Sequence, residues 1–356
     1  MGKGEVTLIQ NLNAGIVGLG KMGLLHAGIM NSLDGVKITA IAEKEKVLVK
    51  YVKESLPDVH VYEDFNEMFD SGTLDVAFIT TPVSSHFPIA QSCIHHGIHF
   101  FMEKPLCKNI EEARKLCEEL KSLPQIIHSV GFNRRFIDTF ARAKSILETG
   151  ILGHISSVNS TMYVSNIFSN GTGWRSNKNM SGGGVLLDLG SHVIDLLLWY
   201  FGPIDRVISS QLRSIYSTEV DDAAHARFTF ASGVQGEIDT SWSVPGYRLP
   251  ELNIIVNGSN GKLRVNEDFI EMDIVETSSQ FQQTKLKLYK QSLGSGVPID
   301  LGGSEYTKED VHVVNCIREK RQTLVNAYQA ANTQSAIEAM YDSGKANSST
   351  RVEYFG

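Results

Sequence analysis

A short apolar run at residues 14–17 leads directly into Gly18-Leu19-Gly20-Lys21-Met22-Gly23, and a helical pattern follows to about residue 33. Strand, glycine turn and helix in that order leave few folds open. The first glycine allows a tight turn. The second lets the backbone approach a pyrophosphate, and the third lets helix and strand pack closely. Free N–H groups at the helix start then hold the phosphates, around Lys21 and Met22. The next strand, residues 36–42, ends at Glu43, 20 residues beyond Gly23. An acid there binds the ribose hydroxyls and repels a 2′-phosphate, which favours NAD; Lys44 and Lys46 beside it keep NADP open.

The alternation continues. Strand patterns at residues 59–62, 75–80, 98–102 and 126–130 are separated by helical patterns at 45–55, 64–71, 86–96 and 110–121. Six strands alternating with helices predict an α/β fold with a doubly wound parallel sheet over residues 1–131. Such sheets bind ligands at the carboxyl ends of their strands. Two strand-end loops fall there: Thr80-Thr81-Pro82-Val83-Ser84-Ser85-His86 and Glu103-Lys104-Pro105. Lys104 is either a solvated loop residue or a cation facing the nicotinamide crevice. His95, His96 and His99 crowd one helix end, where contacts with the helix dipole account for them better than a metal does. No metal is expected.

Past Gly131 the pattern changes. A helix runs to about residue 149, and strands follow at 154–164, 205–216, 222–231, 233–243, 250–257 and 261–265 with turns between them. Residues 132–356 therefore read as a second α/β domain with a mostly antiparallel open sheet, closed by helices at 307–319 and 328–343. One face of that sheet needs a cover, and self-association supplies one.

The segment Ser181 to Tyr200 opens on three glycines and continues as an almost wholly apolar helix holding Asp188, His192 and Asp195. At roughly 100° per residue the three ionisable positions share one face. Buried Asp and His are costly unless paired or working. A hydrogen-bonded core pair, an N-terminal cap by Asp188 and a catalytic group all fit this stretch alone.

Composition closes other routes. The net charge of −7 offers no basic footprint for nucleic acid or for an anionic membrane surface. No apolar window of 18 residues escapes interruption, so no membrane span is expected. Four cysteines without CxxC spacing read as free thiols. With a start that lacks a signal-peptide pattern, they point to the cytoplasm.

Taken together, GLGKMG, Glu103-Lys104-Pro105 and GGGVLLDLGSHVID resemble the Gfo/Idh/MocA family of glucose–fructose oxidoreductase and inositol dehydrogenase-like enzymes. The resemblance spans residues 14 to about 343, and Trp174-Arg175 ahead of the glycines matches the family's W-R…GGG arrangement. It implies a Rossmann domain followed by an open-sheet domain used for a homodimer or homotetramer. It also implies NAD(P)-dependent hydride transfer at a hydroxyl or keto carbon of a sugar, a polyol or a nucleotide-sugar. Lys104, Asp188 and His192 map onto the family's catalytic positions. Glu103 and Pro105 shape the loop near the nicotinamide ribose. Thr81, Pro82, His86, Asn133 and Arg134 map onto segments lining the cofactor or substrate pocket. Tyr163, Trp174 and Arg175 are further candidate substrate contacts. In this reading His192 is the base, Lys104 bonds the reacting oxygen, Asp188 orients His192 or substrate, and Asp195 braces His192 from behind or pairs with a basic side chain. Two rivals stand beside it: an NAD-dependent glycosidase or epimerase-like enzyme with no net redox, and a non-catalytic nucleotide sensor.

Overall fold

The computed structural model describes residues 11–169, 176–216, 219–294 and 296–355. Its first sheet is parallel. Strands β1 (Leu12–Val17), β2 (Val36–Ala42), β3 (His60–Tyr62), β4 (Val76–Ile79), β5 (His99–Met102) and β6 (His128–Val130) lie in the order β3-β2-β1-β4-β5-β6. Helices α1 (Lys21–Met30), α2 (Lys46–Ser55), α3 (Phe65–Asp70), α4 (His86–His95) and α5 (Ile110–Lys121) connect them. The central strands are buried on both faces, as their unbroken apolar runs predict; Val76–Ile79 is buried at every position. The order reverses at β1/β4, and the glycine turn after β1 sits at that switch point.

The second sheet holds β7 (Ile155–Tyr163), β8 (Ile204–Arg213), β9 (Ala223–Phe230), β10 (Gln235–Ser241), β11 (Glu251–Gly258), β12 (Gly261–Val265), β13 (Phe269–Ile274), β14 (Lys285–Tyr289) and β15 (Thr350–Arg351). Their order is β14-β13-β12-β11-β7-β10-β9-β8-β15, antiparallel except where β7 runs parallel to β10. Strands β13 to β15 were not foreseen in the sequence. They are short additions at the two edges, and β15 has only two residues.

Alternation along β7 buries Val158, Ser160 and Met162 and leaves Asn159, Thr161 and Tyr163 on the opposite face. Helix α8 (Val185–Phe201) packs across the buried face over β7, β9 and β10, with α6 (Asp138–Glu148) beside it. The helical run Lys178–Phe201, which includes the short α7 (Lys178–Ser181), is long and apolar enough to cross a membrane. It is covered by protein over most of its surface, as a core helix is.

The chain then returns to the first sheet. After α9 (Lys290–Leu293), helix α10 (Ser304–Arg318) contributes Val313, Val314, Cys316 and Ile317 to the core beneath β1 and α1. Helix α11 (Ala327–Ala346) buries Ala327, Ala330 and Ala331 against the first sheet and Ile337 and Met340 against the second. A cut at residue 131 thus divides the sequence, while in space the last two long helices serve both sheets.

His128 at the start of β6 accepts a hydrogen bond from the Ala327 backbone at 3.0 Å, which fixes the start of α11. Burial draws its pKa down from 6.5 to about 4. The unfolded chain takes up this proton below pH 6.5, whereas the folded chain does so only near 4. The stability contributed by neutral His128 is therefore complete above the unfolded value and is lost as pH falls through the folded one. Denaturant titrations should show stability falling on acidification by up to about 1.4 kcal/mol per pH unit from this residue. The slope should be shallower in His128→Gln; equal slopes would remove His128 as the cause.

Candidate active site

The N-terminus of α8 is shaped by its neighbours. A Cβ at Gly182, whose φ is +77°, would strike the Lys108 carbonyl. One at Gly184 would strike the Asp221 backbone, and one at Gly183 the Tyr341 hydroxyl. The glycines therefore seat the helix against protein. The Asp221 carboxylate accepts the Gly184 and Leu186 N–H groups at 3.0 and 2.9 Å, and the Tyr341 hydroxyl donates to it at 2.8 Å. A cap from 35 residues downstream of Leu186 thus satisfies the helix start. Asp188 is spared that task.

Asp188 meets Lys104 instead. The lysine Nζ donates to Asp188 Oδ1 at 2.6 Å and to the Asp188 carbonyl at 2.9 Å. The Trp242 indole N–H donates to Asp188 Oδ2 at 3.2 Å. Trp242 has no local signal of this role; it directly follows β10, the strand against which α8 packs. His192 lies one helical turn on, 8% exposed, with the Phe132 ring edge-on at 6.0 Å. Its Nδ1 is buried and has no partner among the described residues. Burial, and after it the positive charges of Lys104 and Arg134, hold its pKa well below the ordinary histidine value. His192 is therefore neutral at neutral pH, the form that accepts a proton. Among the described residues no carboxylate meets its Nδ1, so the orienting contact expected from Asp188 or Asp195 is not seen at that atom.

Asp195 belongs elsewhere. Both of its oxygens take the Arg135 guanidinium, at 2.8 and 2.7 Å, in a dry bidentate pair. Arg135 comes from the 3₁₀ turn Asn133–Phe136 after β6 and also donates to the Leu324 carbonyl at 3.2 Å. Of the two roles open to Asp195, a brace behind His192 or a partner for a basic side chain, the structure shows the second, and the pair anchors this turn. From the same turn, Arg134 pairs with Glu267 at 3.0 Å, and the buried Asn133 Oδ1 has no partner among the described residues.

The nucleotide end has the form that the glycines predict. Gly18 has φ +87°, and a Cβ at Gly23 would collide with the Gly18 carbonyl. A Cβ at Gly20 would meet nothing within 4 Å, so this position opens onto free space where a pyrophosphate can approach. Helix α1 begins with no side-chain cap and no acid in its first turn, which suits an anion. Lys21 and Pro82 are exposed and Met22 half-buried around this opening, and Thr81 Oγ1 is buried without a partner among the described residues. Glu43 accepts the N–H groups of Leu19, Lys44 and Glu45, which holds its carboxylate beside the glycine turn. These features fit a dinucleotide.

Two expected contacts differ, and two lie outside the described residues. His86 is 1% exposed, with both ring nitrogens on carbonyls, Thr81 at 3.0 Å and Pro105 at 2.9 Å; it ties the two loops together. Tyr163 lies on the sheet face opposite α8, its ring 5.3 Å from that of Tyr247, which removes it from this site. Trp174 and Arg175 lie outside the described residues. Two residues that sequence reasoning passed over stand behind the loop: His26, between Glu103 and Asp310, and Asp310 itself. Their partners lie 77 and 284 residues apart in the chain, so no local pattern announces them.

A phosphate cradle at the strand ends, with a lysine, a carboxylate and a neutral imidazole gathered beyond it, defines a dinucleotide-dependent oxidoreductase. Residues 12–132 match the family model described as "Oxidoreductase family, NAD-binding Rossmann fold", and residues 140–264 match the "GFO/IDH/MocA C-terminal domain". The chain belongs to the Gfo/Idh/MocA oxidoreductase family. It is 26% identical over 293 residues to the myo-inositol 2-dehydrogenase of Thermotoga maritima, covering 78% of this chain and 82% of the relative. It is also 26% identical over 367 residues to the scyllo-inositol 2-dehydrogenase (NADP(+)) IolW of Bacillus subtilis, covering 97% of each. A solved structure of levoglucosan dehydrogenase with NADH and levoglucosan shares the fold, with a TM-score of 0.87 at 23% identity, over 97% of this chain and 100% of the other.

The Arg135–Asp195 pair carries a prediction. Asp195→Ala leaves a buried guanidinium uncompensated and should cost about 3–5 kcal/mol in denaturant unfolding. A loss below about 1 kcal/mol would mean that the pair adds little.

Proposed function

We propose that this chain is an NAD-dependent dehydrogenase that oxidises a secondary alcohol of a neutral sugar or cyclic polyol. The observation that carries the reading is the Lys104–Asp188 pair beside a buried, neutral His192 whose Nδ1 lacks a partner among the described residues. Bound NAD supplies the hydride acceptor. Lys104 donates a hydrogen bond to the reacting oxygen and favours alkoxide character as the C–H bond breaks. His192 takes the hydroxyl proton, for which its neutral state prepares it. Asp188, fixed by Trp242, keeps the lysine ammonium in place and accepts from a neighbouring substrate hydroxyl.

The charge balance favours a neutral substrate. Among the described residues, the cations around His192 each have an acid: Lys104 has Asp188, Arg134 has Glu267 and Arg135 has Asp195. A nucleotide-sugar would want cations available for its phosphates. Glu43 at the glycine turn supports NAD over NADP. The reading extends to assembly and compartment. A second copy covers the polar outer face of the second sheet, giving a dimer or tetramer, and the four buried free cysteines suit a reducing cytoplasm.

A panel of polyols, aldoses and nucleotide-sugars, followed by NADH and NADPH absorbance, tests the substrate class. Turnover is expected with neutral polyols or sugars and NAD. Turnover without added cofactor, from tightly held NAD, would replace this reading with transient oxidation. Lys104→Ala should lower turnover at least ~10²-fold while leaving NADH binding within a few-fold. Unchanged turnover would remove Lys104 from the reaction.

A further inference from the structure

His26 lies on α1, fully buried, between two carboxylates from distant parts of the chain. Its Nδ1 stands 2.9 and 3.0 Å from the two Asp310 oxygens, and its Nε2 stands 3.2 Å from Glu103 Oε1. A neutral imidazole has one N–H and cannot donate to both acids; an imidazolium can. The surroundings are dry, with the rings of Phe101 and Phe78 at 4.8 and 5.6 Å and Tyr306 at 6.3 Å. Burial opposes a charge here, but Asp310 and then Glu103 overcome it and raise the pKa to about 10. Glu309, also buried behind the cluster, is pushed far up by burial and then by the Glu103 charge, so it is the neutral member of the group.

The other end of this chain of contacts is the lysine loop. Glu103 Oε2 accepts the Lys104 backbone N–H at 3.2 Å, and Gly131 leaves just the room that the carboxylate fills, since a Cβ there would come within 2.9 Å of it. Lys104 then extends from this fixed backbone to Asp188 at 2.6 Å. We propose that His26, as an imidazolium pinned to Asp310, is a positioning residue for the reaction: it fixes the Glu103 carboxylate and thereby the backbone from which Lys104 reaches Asp188. The inference rests on the reading that Lys104 acts at the reacting oxygen. It goes beyond it by assigning the aim of that lysine to a residue of the nucleotide half and an acid of α10.

The test compares wild type, His26→Gln, Lys104→Ala and the double variant below their melting temperatures, measuring kcat, KM and NADH dissociation. His26→Gln should lower kcat about 10–100-fold with NADH affinity within a few-fold, the size of loss that a misaimed group far from the chemistry produces. The double variant should be no slower than Lys104→Ala alone, because both changes act through one group. A lowered melting temperature with unchanged kcat would overturn the inference and leave His26 as a brace between α1 and α10. Additive losses in the double variant would also overturn it. Should His26→Gln fail to fold, Asp310→Asn is read by the same criteria. On the unaltered protein, ¹⁵N NMR of labelled histidine at about pH 8 should find both His26 nitrogens protonated, far above the ordinary titration range; a neutral ring there overturns the inference. Full turnover in Lys104→Ala would defeat the functional reading and this inference with it, whereas full turnover in His26→Gln alone defeats only the latter.

Discussion

The hydrogen-bonded charge pair between Lys104 and Asp188, 2.6 Å long, is where the two halves of the chain become one site. The cation stands at the end of a parallel strand and the anion on the central helix of the second sheet. Neither is useful alone. A lysine at a strand end is ordinarily a solvated loop residue, and an aspartate in an apolar helix is ordinarily a cap or a cost. Their meeting depends on α8 starting close to the loop after β5. That start depends in turn on three glycines and on Asp221 taking over the orphan N–H groups. Seven residues along the same helix, Asp195 repeats the arrangement with Arg135 from the turn after β6. The ionisable face of α8 is thus the face turned to the first sheet, and both of its acids are met by cations from strand-end loops of that sheet.

Much of this was legible in the sequence, and the reasons are local. Gly18, Gly20 and Gly23 sit in a turn whose backbone demands are met within a few residues, so strand, turn and helix could be read together. The apolar run with Asp188, His192 and Asp195 on one face was equally plain, because helical periodicity needs no knowledge of the partner. What failed was the assignment of partners. The three glycines before α8 were plain in the sequence, but not that they make room for Lys108, Tyr341 and Asp221. For Asp195 a brace behind His192 and a basic partner were both open, and Arg135 is the partner. Tyr163 has the chemistry of a sugar contact, but the period of two along β7 puts it on the far face. Each of these outcomes is settled by pairings made across tens of residues or more, and composition and spacing carry no record of such pairings.

His192 shows how burial and charge divide the work. An imidazole in water would be partly protonated near neutral pH and a poor acceptor on the acid side. Here the loss of water, with Lys104 and Arg134 as positive neighbours, keeps the ring neutral. The same two neighbours resist a further positive charge on the ring. His26 stands at the opposite extreme, since two carboxylates flank it and outweigh its burial. Two histidines in one molecule, both nearly or fully buried, are driven in opposite directions by the sign of the charges beside them.

The return of the chain to its first sheet follows from the same constraint. A nucleotide-binding half that ended at β6 would leave Val130 and the core around β1 without cover, and it would leave His26 without Asp310. Helices α10 and α11 supply both: apolar side chains for the two faces of the sheet, and one buried acid for one buried base. Because α11 continues onto the second sheet, the cover that completes the first core also fixes the distance between the two sheets. A lysine from one and an aspartate from the other can hold a hydrogen bond of 2.6 Å only if that distance is set to within a fraction of an ångström. The C-terminal helices are therefore part of what sets the Lys104–Asp188 pair, although none of their residues was marked by any motif in the sequence.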